Sequence, residues 1–542
     1  LAELYGQQRI LNTVRVIREN FYTLGILGDL LERINAYTRE RNMFLMADSS
    51  RFLRGIIGGN QVPFVYERTG SRFNHIMLDE FQDTSVFQYD NFRPLLDNSL
   101  ASGYDNLVVG DVKQSIYRWR NSDWRLLASE LEGDFRHQML EVIKLNFNFR
   151  SREQIIRFNN SLFQIAPEIL AQQIARDLQG SDFDQEAVGY QLGIFRKAYE
   201  DVVQQVPKNR TGSGGVVRLE FFGDQEDVSF QDQVLDRIPG WIEEIGKAGF
   251  DPGQTAILVR TKKEGAMVAD RLLQHARKRG GDRRFRLISN ESLLLMQNVS
   301  VSLLVSALHF LVRPGDDLNQ AELKYHCLLA GVVKGIPPDR LFDPSIPPEE
   351  WLPGSFLEHV ETFRQLPLFE LVETLIQVFG LTERTDDLPY IQALQDLVID
   401  LQRRDPMSIA RFLDYWQQHA SKHSISVSEE LNAIRILTIH KAKGLEFNCV
   451  LIPFCNWEMT TDHRKANYLW CDTGRTPFSK IPVVPVRYSG SMKETLFSQD
   501  YFQERMKGYM DNLNLMYVAF TRAKDALYIG VPGNVEDLQE IE

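Results

Sequence analysis

The chain has 542 residues, 43% hydrophobic and 25% charged, a length that calls for several domains at roughly 100–200 residues each. Its 35 glycines and 21 prolines are near average usage and exclude collagen-like and low-complexity chains, and no short-period repeat is present. A net charge of −12 excludes coating nucleic acid through overall charge but leaves room for a local basic groove.

In chain order, residues 1–55 read as largely helical, with apolar residues three and four apart from Leu11 through Phe21 and again from Leu27 to Ile34, a pattern suited to covering a sheet. From Phe73 the pattern changes to short apolar runs, Ile76-Met77-Leu78 and Leu107-Val108-Val109, which suit buried parallel strands. Residues 151–209 read as helical and polar, and end in the turn Thr211-Gly212-Ser213-Gly214-Gly215. Two strand-like runs, Val216–Phe222 and Thr255–Val259, then bracket a helix in a βαβ arrangement. Helical periodicity with proline turns fills about 318–430, and strands return at Ala433–Thr438, Cys449–Ile452 and Ala526–Ile529. The longest apolar stretch, Val299–Val312, is interrupted by Ser300, Ser302, Ser306 and His309 and is too short to span a bilayer, so no membrane role is expected. Cys327, Cys449, Cys455 and Cys471 match neither a zinc pattern nor a disulfide framework, which points to a reducing, cytoplasmic setting.

Two runs carry chemistry. Asp79 and Glu80 follow a strand at its carboxyl end, where α/β sheets collect ligands; a hard cation such as Mg²⁺ takes one or two carboxylates, and a neighbouring carboxylate can orient water. About thirty residues on, Gly110-Asp111-Val112-Lys113-Gln114-Ser115 leads into Tyr117-Arg118-Trp119-Arg120, aromatics alternating with arginines, a combination suited to stacked bases and phosphates. A separate stretch, Arg260–Arg286, holds ten Lys/Arg against three acids, a solvated helix face or a nucleic-acid contact.

Asp79-Glu80-Phe81-Gln82-Asp83 and Gly110–Arg118 resemble the second and third motifs of superfamily 1A helicases of the UvrD/Rep type, in wording nearest the AddA/RecB branch. Asn148-Phe149-Arg150-Ser151 resembles the fourth motif, Thr438–Phe447 the fifth and Leu515–Lys524 the sixth, all in the family's order. The resemblance implies an α/β fold of two RecA-like parallel-sheet domains, the first incomplete, with a helical insertion in the second. The expected spans are 1–144 for the first domain, 145–317 and 431–542 for the second, and 318–430 for the insertion.

It also implies roles in ATP hydrolysis: Asp79 on Mg²⁺, Glu80 on water, Gln114 at the γ-phosphate, and Arg150 and Arg522 as arginine fingers. Phe149 would stack on adenine, with Gly444 and Glu446 near the triphosphate and ribose. Tyr117, Trp119, Arg120, Thr438 and His440 would contact single-stranded DNA. The implied activity is an ATP-dependent helicase or translocase, 3′ to 5′, acting on single-stranded DNA and DNA ends in recombinational repair. The implied partner is a second helicase-nuclease subunit.

The sequence departs from the family in three places. No G-x-x-x-x-G-K-[ST] phosphate loop occurs in it. Asp511-Asn512 stands where two acids are common, and Asn514 where arginine is common. The chain opens on Leu1 rather than Met, so a portion of a longer helicase is expected, with its phosphate loop upstream and little ATP turnover alone. The alternative is a nucleotide-blind, helicase-like DNA-binding or scaffold subunit.

Overall fold

The computed structural model describes residues 2–49, 73–137, 140–178, 185–223, 228–278, 287–289, 294–333, 340, 343, 346–385, 387–425, 432–460, 467–474 and 476–533. The chain divides into two compact units, one of Leu1–Phe221, Ile439–Asn448 and Phe454–Glu542, the other of Phe222–Thr438 and Cys449–Pro453.

The first unit opens with α1 (Ala2–Glu40), whose beginning packs on an antiparallel pair, β8 (Tyr468–Asp472) and β9 (Val483–Arg487). There the Arg9 guanidinium donates to the Thr495 carbonyl at 2.9 Å and Thr13 Oγ1 accepts the Leu496 N–H at 2.9 Å. β1 (Met77–Leu78) and β2 (Leu107–Val108) form a two-stranded parallel sheet, Met77 opposite Leu107. The parallel pairing agrees with the sequence; the expected burial does not. Leu78 and Val108 pack against Phe81, Tyr89 and Leu126, whereas Met77 and Leu107, on the other face of the pleat, are 75% and 53% exposed. Side chains alternate across a strand, and here one face alone is covered.

α2 (Val86–Ala101) begins at a capping box: Ser85 Oγ accepts the Gln88 N–H and the Gln88 side chain accepts the Ser85 N–H. α3 (Glu153–Leu178) and α4 (Gln185–Lys197) follow, and β3 (Val216–Phe222) lies beside β10 (Ala523–Pro532). α12 (Ser498–Phe520) runs through this unit with Tyr509, Met510, Leu513, Tyr517 and Val518 buried. Phe163 of α3 meets Tyr517 edge-on at 5.1 Å, which ties the two helices together.

In the second unit β4 (Thr255–Val259) has all five residues buried. It pairs in parallel with β7 (Phe447–Ile452) on one side and β6 (Ile434–Thr438) on the other, and β5 (Leu287–Ser289) adds to β6. Continuous apolar strands of this kind suit a parallel sheet covered on both faces. α5 (Phe230–Lys247) and α6 (Lys262–Lys278) belong to this α/β layer, α5 turning Val234, Ile238, Trp241 and Ile245 inward.

The rest of the unit is helical. α7 (Val299–Val312) is the apolar stretch noted in the sequence, and it is apolar because it is enclosed: Val301, Leu303, Leu304, Ala307, Leu308 and Leu311 are all buried. Around it lie α8 (Asp317–Leu329), α9 (Leu368–Val378), α10 (Leu388–Arg404) and α11 (Ile409–His419). Among the described residues no helix is long and apolar enough to cross a membrane. The turn Ile336-Pro337-Pro338 and residues 279–286 of the basic stretch lie outside the described residues.

Candidate functional site

β1 ends in Leu78 and releases Asp79 and Glu80 to solvent, with Asp79 Oδ1 accepting the Glu80 N–H at 2.8 Å. Glu80 takes a left-handed conformation, φ 52°, to enter a short 3₁₀ turn, Phe81–Asp83. Two buried neighbours hold that turn. Phe81 is 1% exposed against Tyr89 and Leu126, and Gln82, 2% exposed, gives Nε2 to Glu80 Oε2 at 2.5 Å while its Oε1 accepts the Asp111 N–H at 3.0 Å. A Cβ at Gly110 would stand 2.7 Å from Gln82 Oε1, so glycine lets the two turns touch. Asp83 receives the Lys443 ammonium on both carboxylate oxygens at 2.6 Å. Burial nonetheless raises the Asp83 pKa, against the pull of Lys443.

Asp111 organises the next turn. Its carboxylate accepts the Lys113 N–H at 3.1 Å, the Lys113 ammonium at 2.8 Å and Gln114 Nε2 at 3.0 Å. Lys113 is buried and reaches Asp201 as well, at 3.1 Å; burial works against its charge, but the two carboxylates carry its pKa upward. Beyond it the alternating run splits by residue type. Tyr117 and Trp119 stand 6.1 Å apart edge to face, and His440 lies 6.1 Å from one ring and 6.5 Å from the other. The Arg120 guanidinium covers both rings, 5.2 Å from Tyr117 and 4.5 Å from Trp119, and Lys443 lies 5.0 Å from Tyr117. Trp119 remains 65% exposed. Arg118 points away from this platform, its fork bidentate on Glu504 at 2.9 Å and its Nε on Asp511 at 2.5 Å. Asn514, also on α12, donates to the Val112 and Ser115 carbonyls at 3.0 and 2.9 Å and accepts the Tyr199 hydroxyl at 2.7 Å.

The remaining predicted residues divide. Phe149 is 64% exposed, tilted 6.3 Å from Phe147. Arg150 donates to Glu446 at 3.0 Å and to the Thr521 carbonyl at 3.4 Å, and Glu446 also holds Lys524 at 3.0 Å, which with Arg150 lowers its pKa. Gly444 has φ +81°, and nothing lies within 4 Å of where its Cβ would be. Arg522 is 1% exposed, and its guanidinium donates to the Val518 and Leu445 carbonyls at 2.9 and 3.2 Å and to Thr521 Oγ1 at 3.0 Å. No acid pairs with it among the described residues, and burial with Arg150 nearby pushes its pKa down to about 10. Thr438 closes β6 in the second unit, opposite Val259. In the basic stretch, Arg271 is paired with Asp232 and Asp236, the behaviour of a solvated face.

The structure therefore brings Asp79, Glu80, Gln114, Tyr117, Trp119, Arg120, Phe149, Arg150, His440, Gly444, Glu446 and Arg522 into one unit, while Thr438 falls in the other. Sequence reasoning gave no role to Lys443, Gln82, Arg118, Glu504 or Asn514. The alternation in Tyr117-Arg118-Trp119-Arg120 is the signal that sets Arg118 apart, because neighbours in an irregular turn cannot all face one ligand.

The exposed Asp79 carboxylate, one oxygen committed to a single N–H, fits a hard cation that takes one or two carboxylates and fills its other positions with phosphate and water. The open Phe149 ring fits a stacked base. A phosphate cradle of G-x-x-x-x-G-K-[ST] form is not present in the sequence.

Comparison with known proteins agrees with this arrangement. Residues 29–135 match the family model of the UvrD/REP helicase N-terminal domain, and residues 369–532 that of the UvrD-like helicase C-terminal domain. The chain is 22% identical over 91% of its length to an ATP-dependent helicase/nuclease subunit of Lactococcus lactis subsp. lactis, covering 43% of that protein. It is 24% identical over 88% of its length to the protein of the same name from Carboxydothermus hydrogenoformans, covering 42%. Against RecBCD enzyme subunit RecB of Haemophilus influenzae it is 23% identical over 85% of its length, covering 36%. The chain thus spans less than half the length of these relatives. With both family models matched in order on an α/β chain whose motif residues gather in one unit, the chain belongs to the UvrD-like helicases.

Proposed function

We propose that the chain is the body of an ATP-dependent DNA helicase or translocase that moves 3′ to 5′ on single-stranded DNA and works on DNA ends in cytoplasmic recombinational repair. A second helicase-nuclease subunit is the partner, as the relatives' names suggest. In this reading residues 1–144 belong to one RecA-like domain and 145–317 with 431–542 to the second, and 318–430 form an insertion.

The observation that carries the reading is the platform of Tyr117, Trp119, Arg120 and His440, joined through Lys443 to Asp83 and Glu80. Aromatic rings under a guanidinium take bases of any identity, which suits a motor that must pass over every sequence. Asp79 would hold Mg²⁺ and Phe149 would stack on the adenine of ATP; the bound nucleotide and metal supply the phosphoryl group and its charge neutralisation. Glu80 orients and deprotonates the attacking water. Gln114, parked on Asp111, is free to swing by one side-chain rotation towards a γ-phosphate. Arg150 and Arg522 donate towards charge developing on phosphate oxygens, which for Arg150 means leaving Glu446. Gly444 and Glu446 flank the triphosphate and ribose, and Thr438 extends the DNA contact.

The buried guanidinium of Arg522, wholly engaged with neutral acceptors, favours a second reading as a strut in a nucleotide-blind DNA-binding or scaffold subunit. Two assays on the chain separate them: fluorescence anisotropy with a single-stranded oligonucleotide against a duplex of equal length, and phosphate release with and without that strand. The helicase reading expects a preference for the single strand and a low ATP turnover stimulated by it. No single-strand preference would overturn the DNA platform, and no turnover at any DNA concentration, with binding intact, would favour the scaffold.

A further inference from the structure

A cavity of about 500 Å³ on the first unit belongs to none of the motifs. Four elements enclose it: the Trp124–Arg125 turn, Ile174 on α3, Phe195 on α4, and Met506 with Lys507 on α12. Trp124, Ile174 and Phe195 are buried side chains that still face this space, so its walls are apolar and fixed by packing. Two donors on the lining are uncommitted. Lys507, deeply placed, makes no hydrogen bond or ion pair among the described residues. Arg125 gives Nε and Nη2 to Asp123, the Nε contact at 2.9 Å, and leaves Nη1 without a partner.

The nearby acids do not supply the missing acceptor. Glu504 and Asp511 are both held by Arg118, and Asp123 is held by Arg125. An ammonium withdrawn from water without an acceptor is costly, and an incoming anion relieves that cost. The rim carries a second mark of a ligand site: Leu126–Glu130, directly after Arg125, form a π-helical turn, a rare conformation that recurs at functional positions.

We propose that this cavity binds a small aromatic anion, a flat apolar body bearing one carboxylate, sulfonate or phosphate, with the charge received by Lys507 and Arg125 and the flat body lying against Trp124 and Phe195. Half-apolar walls with a few placed polar groups are the usual make-up of a small-molecule site. The inference is independent of the helicase reading. Burial, with the Arg125 charge nearby, also lowers the Lys507 pKa, which leaves more of its amine free to react.

The test uses pyridoxal 5′-phosphate, an aromatic anion that carries its own aldehyde, on the whole chain. The Lys507 amine adds to the aldehyde and loses water to form an imine, which borohydride reduces to a stable secondary amine, and peptide mass mapping reports each modified lysine. The expected result is labelling of Lys507 at least about tenfold above the median lysine, suppressed by naphthalene-1-sulfonate but not by sodium chloride of equal ionic strength. Labelling spread evenly over the lysines, or equal suppression by both salts, would overturn the site. Suppression by sodium sulfate as strong as by naphthalene-1-sulfonate would overturn the aromatic half of the proposal.

Discussion

Arg118→Ala removes the cation shared by Glu504 and Asp511. Glu504 is only 10% exposed and Asp511 28%, so both carboxylates stay largely out of water when the guanidinium is gone. Breaking a buried ion pair from one side costs about 3–5 kcal/mol, and the low end applies because Arg118 is itself one third exposed. For a unit of this size about 3 kcal/mol lowers Tm by about 5 °C, read by circular dichroism. Arg118→Lys keeps the charge and loses the fork, so it should recover only part of the deficit.

The loss should also depend on pH. Burial raises the Asp511 pKa to about 6 even with Arg118 beside it pulling it down. A carboxyl that holds its proton more tightly in the native state than in the unfolded chain favours folding below its unfolded pKa near 3.8, and that advantage fades as pH rises to 6. Without Arg118 the native Asp511 stays protonated to still higher pH, so the variant's deficit should be larger at about pH 8 than at about pH 6. A deficit under about 0.5 kcal/mol at both values, or a larger one at the lower pH, would refute the reasoning.

Trp119→Ala should weaken single-stranded DNA binding by about 1–3 kcal/mol in an anisotropy titration with no change in Tm, since the ring is 65% exposed; unchanged affinity would remove Trp119 from the platform. Gly110→Ala places a methyl 2.7 Å from Gln82 Oε1 and 2.8 Å from Leu127 Cδ2, and should cost about 1–3 kcal/mol in urea unfolding. Asn514→Leu leaves two carbonyls and the Tyr199 hydroxyl buried without their partner and should cost a similar amount. The same substitution at exposed Asn12, which reaches one carbonyl at 3.2 Å, should cost a few tenths of a kcal/mol, and equal losses at the two positions would sink the burial argument.

The strands and the motif turns were legible because each is local: an apolar run ending in acids or Gly-Asp announces itself within ten residues. The burial of β1 and β2 was not, because whether Met77 and Leu107 are covered depends on what packs on that face rather than on their own run. Asp79, Glu80 and the aromatic platform could be read from residue type and order. The side chains that hold them could not: Lys443 reaches Asp83 from 360 positions away and Asn514 reaches Val112 from 402, separations at which sequence carries no spacing rule. Asn514 was visible as a departure from its relatives' usual arginine, and the structure gives it a use that needs an amide, two donors and one acceptor at once.

At about 1.5 Å per residue α12 is a rod about 35 Å long, and it is fastened at both ends of the site. Glu504, Asp511 and Asn514 hold the turn that carries Gln114, Tyr117 and Trp119, and Arg522 follows just past the last turn. A rod transmits axial displacement instead of absorbing it, so a shift of the stacking rings by the spacing of one base would be felt at the Thr521–Arg522 end as a change in position, not merely in order. Conversely, softening the rod between Asn514 and Phe520 with a glycine would leave both ends intact and disconnect them.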